Sequence, residues 1–219
     1  MAWLSSDKIL FYASYIRYSP HPQQVRYRDN LQRATIEAYE QRAASVAGRN
    51  GRAVIMAGPP GAGKSQGVEA SRNALGEPRA DAMGLEGPGF ITIDADDVKP
   101  LLLGIPNPDL NVDPALLQQA RQHWQQVIDD IAPNPLEDGQ RVLPGELSTL
   151  VHQLSTDTAD QVRGRLVSKR YDVKIEGTLQ WLDRSTGQGQ GPRLISELQT
   201  AGYSSVAIVA VDTSEPICQ

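Results

Sequence analysis

The sequence predicts an α/β fold, a mostly parallel sheet with helices on both faces. Three observations predict it. Strand-length apolar runs alternate with helix-length amphipathic segments along the chain. A glycine-rich turn comes directly after the first apolar run. Acidic residues close the second and third runs, and open parallel sheets hold ligands at those carboxyl ends.

The elements are taken in chain order. Residues 22–47 predict an amphipathic helix: Pro22 suits its first turn, and Val25, Leu31, Ala34, Ala38 and Tyr39 fall near one face. Gly48, Arg49, Asn50 and Gly51 stop it. Arg52–Ala57 (R-A-V-I-M-A) is a buried strand, and a helix runs from about Gly63 to Leu75. Residues 76–89 are loop by composition, with their glycines and prolines. Phe90–Asp94 is the second strand. Gly104 to Asp113 is loop, and Pro114 to Asp130 a helix with proline in its first turn. Pro133 to Pro144 is a connector. Glu146 to Lys169 reads as one helix with Leu147, Leu150, Val151, Leu154, Thr158, Val162 and Leu166 on its apolar stripe. Tyr171–Glu176 is the third strand. A turn at Gly187–Gly191 leads to a short helix, Pro192 to Ala201, and Ser205–Val211 is the fourth strand.

The bulk numbers set bounds. A chain of 219 residues suits one decorated α/β domain. Hydrophobic residues at 40% and charged residues at 21% are those of a globular protein. Aromatics at 5% leave the core to Leu, Ile, Val and Ala. A net charge of −5 argues against broad nucleic-acid binding, so no nucleic acid is expected as partner. The single cysteine, Cys218, excludes an intramolecular disulfide and reads as an ordinary thiol. The longest apolar runs fall short of the ~18–20 residues of a membrane span, so no membrane is expected either. The N-terminus lacks the pattern of a signal peptide, and a cytoplasmic address is the expectation.

Gly58 to Ser65 reads G-P-P-G-A-G-K-S, which fits G-x-x-x-x-G-K-[ST] between a strand and a helix. Gly58, Gly61 and Gly63 let backbone N–H groups face phosphate oxygens, with Ala62 and Gln66 in the same stretch. The next helix adds the positive end of its dipole. Lys64 reaches the β- and γ-phosphates, and Ser65 offers a hydroxyl to Mg²⁺. The expected fold is therefore P-loop NTPase/kinase-like: residues 49–219 form that domain, and residues 1–48 a helical extension. ATP or GTP with Mg²⁺ is the expected ligand.

Two acidic strand ends choose the chemistry. The second strand ends in Asp94, Asp96 and Asp97, and the third in Glu176 and Thr178. A carboxylate by the γ-phosphate takes the proton of an attacking hydroxyl or holds magnesium. One of the three aspartates is expected to cap the next segment, with Asp97 the first choice and Asp94 orienting the loop. Gly177 after Glu176 points to close backbone approach. The 171–176 strand is expected beside the P-loop strand, which brings Glu176 to the cradle.

Together these segments resemble the zeta toxin family of small-molecule kinases. The likeness lies in G-P-P-G-A-G-K-S, then I-D-A-D-D-V-K-P, then I-E-G-T-L, with Leu198, Gly202 and Tyr203 before the last strand. The segment with His152 and Ser155 resembles the helix ahead of the family's E-G-T strand. The resemblance covers roughly residues 30–211. It implies a kinase that phosphorylates a hydroxyl of a nucleotide-sugar such as UDP-N-acetylglucosamine, with an antitoxin protein as partner. It makes Asp96 the general base, acting with Lys64. It places Asp94, Lys99, Glu176, Thr178 and His152 at the substrate, and Ser65 and Glu176 at the metal. His152 reads equally as a packed helix residue, and Trp181 as packing. The family's strand matching Ser205–Val211 leads into helices with arginines that close over the γ-phosphate; Arg163, Arg165, Arg170, Arg184 and Arg193 do not stand in that place. Two other readings stay open: a P-loop kinase for another metabolite, and a nucleotide-binding interaction module without efficient turnover.

Overall fold

The computed structural model describes residues 22–58, 62–85, 89–131, 134, 139, 141–177, 179 and 189–211. The elements are α1 (Pro22–Val46), β1 (Arg52–Ala57), α2 (Lys64–Leu75), α3 (Glu77–Ala82), β2 (Ile91–Ile93), α4 (Ala95–Leu102), α5 (Pro114–Ile131), a 3-10 helix (Pro144–Val151), α6 (His152–Ser168), β3 (Val173–Gly177), α7 (Gln190–Thr200) and β4 (Ser205–Ala210). Two compact units divide them. One comprises residues 1–39 and 95–161, the other 40–94 and 162–219.

The second unit carries the sheet. Its order is β2-β3-β1-β4 and every pair is parallel. This is the mostly parallel α/β sheet expected. The P-loop strand β1 is central, and Ala53 to Ala57 are all buried, which is why the run is apolar without alternation. Its register with β3 sets Met56 against Glu176 and Ala57 against Gly177. Val54, Met56 and Val209 from the sheet pack with Val68 of α2, Ala80 of α3 and Leu85. Each large apolar side chain so buried contributes about 1.5–3 kcal/mol.

Far from the P-loop end, β1 and β3 are held together where they begin. Asp172 is fully buried. Arg52 Nε and Nη2 donate to its Oδ2 at 2.9 and 2.6 Å. Asn50 Nδ2 donates to the same oxygen at 2.8 Å, and the backbone N–H groups of Asn50 and Arg52 donate to Oδ1, each at 3.0 Å. Burial alone raises the carboxyl pKa; the bonds from Arg52, Asn50 and the backbone outweigh it and hold the value below the usual 3.8. The linkage is of the depressed-carboxylate kind. Its stability is present above pH ~4 and is lost as the pH falls through the lowered folded value. Asp172→Ala strands the Arg52 guanidinium and three other donors, and it is expected to cost about 3 kcal/mol by denaturant titration. A loss below about 0.5 kcal/mol would show that the network adds no net stability.

In the first unit, α4 buries Val98, Leu101 and Leu102, and Trp124 of α5 donates its indole N–H to Leu102 O at 2.9 Å. Gly104 closes that turn at φ 81°, and a Cβ there would meet Leu117 O at 2.5 Å. Gln32 Nε2 of α1 donates to Thr158 Oγ1 of α6 at 3.0 Å.

Several expectations need correction. The 76–89 stretch is not all loop, since Glu77–Ala82 is a helix with proline in its first turn. Arg72 grips Glu77 and Asp81 at 2.9 Å each, and Ala80 is fully buried; these contacts override the glycine-rich composition. The expected single helix from Glu146 is two elements: Pro144 opens a 3-10 helix, and the α-helix starts only at His152. Asp97 does not cap. It lies inside the first turn of α4 with Asp96, and Asp94 is the residue just before that helix. Phe90 and Asp94 flank β2 rather than belonging to it.

Candidate functional site

The glycine-rich turn begins where β1 ends. Ala62 is buried, and Gly63 takes the left-handed conformation, φ 71° and ψ 40°, immediately before α2. A Cβ at Gly63 would come within 2.9 Å of Gln66 Oε1, a flexible side-chain end that can move aside, so it is the left-handed backbone that favours glycine there. Gly67 N–H donates to Gly63 O at 3.0 Å, the first helical bond of α2. The amides ahead of it have no intrahelical acceptor, and a helix N-terminus of this kind suits an anion. Gly58 is buried at the end of β1, and the exposed Gln66 lies in the first turn of α2. Gly61, Thr178, Trp181 and the side chain of Ser65 lie outside the described residues.

Lys64 and Glu176 meet. Lys64 Nζ is 4.0 Å from Glu176 Oε2, and both side chains are about one-quarter exposed, at 24% and 28%. The pairing of β1 with β3 causes this. Met56 lies opposite Glu176, so the acid at the end of one strand reaches the lysine that comes after the other. Among the described residues no group of three or more His, Cys, Asp or Glu side chains is gathered to hold a metal ion by itself. Glu176 offers only oxygen, the donor type that suits Mg²⁺, which keeps few protein ligands and shares phosphate oxygens.

In the other unit, Asp96 is on the first turn of α4 and pairs with Lys99 at 2.6 Å. Asp96 is 74% exposed and Lys99 20%. A cavity of about 310 Å³ opens beside them, walled by Asp96, Lys99, Pro100, Leu103, Ile105, Gly145 and Ser148. The motif I-D-A-D-D-V-K-P contains Asp96, Lys99 and Pro100 but not the other walls. Asp96, Lys99, Pro100 and Leu103 recur at i, i+3, i+4 and i+7, the spacing of one helical face, and that periodicity is the signal that could have found Leu103. Asp94 is half-buried. His152 is exposed at the first position of α6, which removes the packed reading, and it does not wall the cavity.

With this geometry in place, comparison with known proteins adds one likeness. A solved structure from the PezAT chromosomal toxin–antitoxin system of Streptococcus pneumoniae is similar. The two are 16% identical with a TM-score of 0.44, over 81% of this chain. The chain spans 58% of the length of that structure. No family model matches the sequence, and no curated protein does. No helix among the described residues is long and apolar enough to cross a membrane.

If Lys64 meets a triphosphate, as its motif predicts, its pairing with Glu176 makes that binding depend on metal: without Mg²⁺ the Glu176 carboxylate competes with phosphate for Lys64 and repels the triphosphate. Glu176→Gln is therefore expected to bind metal-free ATP about fivefold more tightly than the parent chain, and to gain less from added Mg²⁺. Titration of a fluorescent ATP analogue with EDTA or with Mg²⁺ reads both. Equal metal-free affinity in the two proteins would remove Glu176 from the site.

Proposed function

We propose that the chain is an ATP- or GTP-dependent small-molecule kinase of the zeta toxin type, which phosphorylates a hydroxyl of a nucleotide-sugar such as UDP-N-acetylglucosamine. The observation that carries this reading is the meeting of Lys64 with Glu176 at the mouth of a left-handed Gly63 turn. A glycine-rich turn that matched by chance would have no reason to gather a second strand's acid at its lysine.

In this reading the Gly58–Gln66 segment holds the triphosphate, with backbone amides on the phosphate oxygens. Lys64 neutralises charge at the β- and γ-phosphates. Ser65 and Glu176 hold Mg²⁺, which when bound offsets phosphate charge. Asp96 accepts the proton of the acceptor hydroxyl as that oxygen bonds to the γ-phosphorus and the bond to the leaving nucleoside diphosphate breaks. Lys99, paired with Asp96 at 2.6 Å, orients its carboxylate. By the motif resemblance, Asp94, Thr178 and His152 are assigned to the acceptor as well. An antitoxin protein is the partner class the motif resemblance implies, and the proposed compartment is the cytoplasm.

The test is incubation with ATP or GTP, Mg²⁺ and a panel of UDP-sugars and nucleotides, read by mass spectrometry. A mass gain of one phosphoryl group on a UDP-sugar is the expected result. Gain on a different metabolite would replace the acceptor. Nucleotide binding without gain on any acceptor would favour an interaction module.

A further inference from the structure

We infer that the open edge of β4 pairs with the same edge of a second copy of this chain, antiparallel, about a two-fold axis at Ile208. Strand β4 comes last in the order β2-β3-β1-β4, so among the described residues β1 is the one strand beside it. Its burial is not that of a strand inside a parallel sheet, which is covered on both faces. Ser205, Ile208 and Ala210 are exposed. Ile208 is 50% exposed, although Ile55, its partner in the register, is fully buried. The strand reads S-V-A-I-V-A. It holds none of the devices that keep sheet edges apart. It has no lysine, no other charge and no proline, and its register with β1 runs from Ser205 to Ala210 without a bulge.

The backbone fixes which groups face the open edge. Val211 N–H donates to Ala57 O at 2.8 Å, towards β1. Backbone groups alternate sides from one residue of a strand to the next, so Ala207 and Val209 also face β1. Val206, Ile208 and Ala210 therefore aim their N–H and C=O groups the other way. Val206 stands two places before Ile208 and Ala210 two places after it. A two-fold axis at Ile208 sets that residue against Ile208 of the second copy, and Val206 against Ala210 of the second copy. Every edge-facing donor then meets an acceptor. A register slipped by two residues would set Ala210 against Ser204, which lies outside the strand. The same axis brings the two exposed isoleucines together, with Cβ atoms ~5 Å apart, and takes both out of water. An identical copy is the partner that fits. The strand carries no charge for an acidic or basic partner to meet, and its free groups are symmetric about one residue, as a self-complementary two-fold contact requires. One six-residue edge is small beside the ~800 Å² that each partner of a standard interface buries, so the dimer is reversible.

Sedimentation velocity of the full chain over a dilution series reads the dimer. The parent is expected to pass from dimer to monomer on dilution. Ile208→Lys, which sets two like charges against each other, is expected to weaken the dimer at least about tenfold at an unchanged melting temperature. A pair of cysteine variants in a Cys218→Ser background locates the axis. Ile208→Cys should link into a covalent dimer on mild oxidation, because directly opposed residues have Cα atoms ~5.5 Å apart, within disulfide reach. Ser205→Cys is exposed on the same strand, but this axis puts it about 20 Å from its own copy, and it should stay unlinked. A parent that is monomeric at every concentration overturns the pairing, and so does an Ile208→Lys variant that dimerises as the parent does. Equal linking of Ile208→Cys and Ser205→Cys overturns it as well. If Ile208→Lys lowers the melting temperature, the cysteine pair decides alone. None of these readouts involves nucleotide or acceptor, so the kinase reading stands or falls separately.

Discussion

Lys64→Ala is expected to weaken ATP binding by at least about tenfold and to abolish transfer, since a charge-assisted contact is worth ~1.5–3 kcal/mol. The loss has two parts. The ammonium leaves the β- and γ-phosphates, and Glu176 loses the cation 4.0 Å away that balanced it. The second part makes the variant worse than simple deletion, because an uncompensated carboxylate then faces the triphosphate. A double-mutant cycle separates them. Lys64→Ala with Glu176→Gln should recover part of the lost metal-free affinity and none of the transfer. Calorimetric titration with a non-hydrolysable ATP analogue measures the first, and the mass-spectrometric assay the second. Parent-like affinity and turnover in Lys64→Ala would end the P-loop assignment.

Asp96→Asn should leave ATP affinity nearly intact and cut transfer about 10²-fold or more, the contribution of a positioned general base. Asparagine keeps the side-chain shape but has no basic carboxylate. The change also breaks the pair with Lys99, yet Asp96 is 74% exposed, so stability should move by less than about 1 kcal/mol. Melting temperature is therefore the control that ties any lost turnover to chemistry. Asp94→Asn is the comparison: it precedes α4 and is half-buried, where Asp96 faces a cavity. Full transfer by Asp96→Asn beside a dead Asp94→Asn would assign the base to Asp94.

How far the sequence could be read depends on where each signal is stored. β1 was legible to the residue because an uninterrupted apolar run ending at a phosphate motif has one sensible place, the centre of a parallel sheet. The placing of β3 next to it was also legible, since acidic strand ends around a cradle imply adjacency, and Met56 does pair with Glu176. Helix α5 declared itself by Pro114 and an amphipathic run. The short elements did not. α3 is six residues held by two ion pairs from Arg72, and no local composition records a partner on another helix. The 3-10 helix shares an apolar stripe with α6, so periodicity merged the two. Asp172 was invisible for the same reason. Its partners Asn50 and Arg52 are 122 and 120 positions away. In the site, the walls on α4 that fall in a motif were found, and Leu103, Ile105, Gly145 and Ser148 were not, because motifs are contiguous while the walls come from α4, the loop after it and the 3-10 helix.

The parallel sheet also has a consequence in time. Ala53 of β1 pairs with Val173, and on its other side with Val206. During synthesis at ~5–20 residues per second, the central strand is complete roughly 6–24 s before its first neighbour has been made. Throughout that interval A-V-I-M-A has no sheet to join, and two rows of backbone groups stand open to other chains. β3 is synthesised before β4, so it is the first neighbour available to β1. Folding is therefore expected to be slow for a chain of this size and sensitive to the speed of translation between residues 57 and 173.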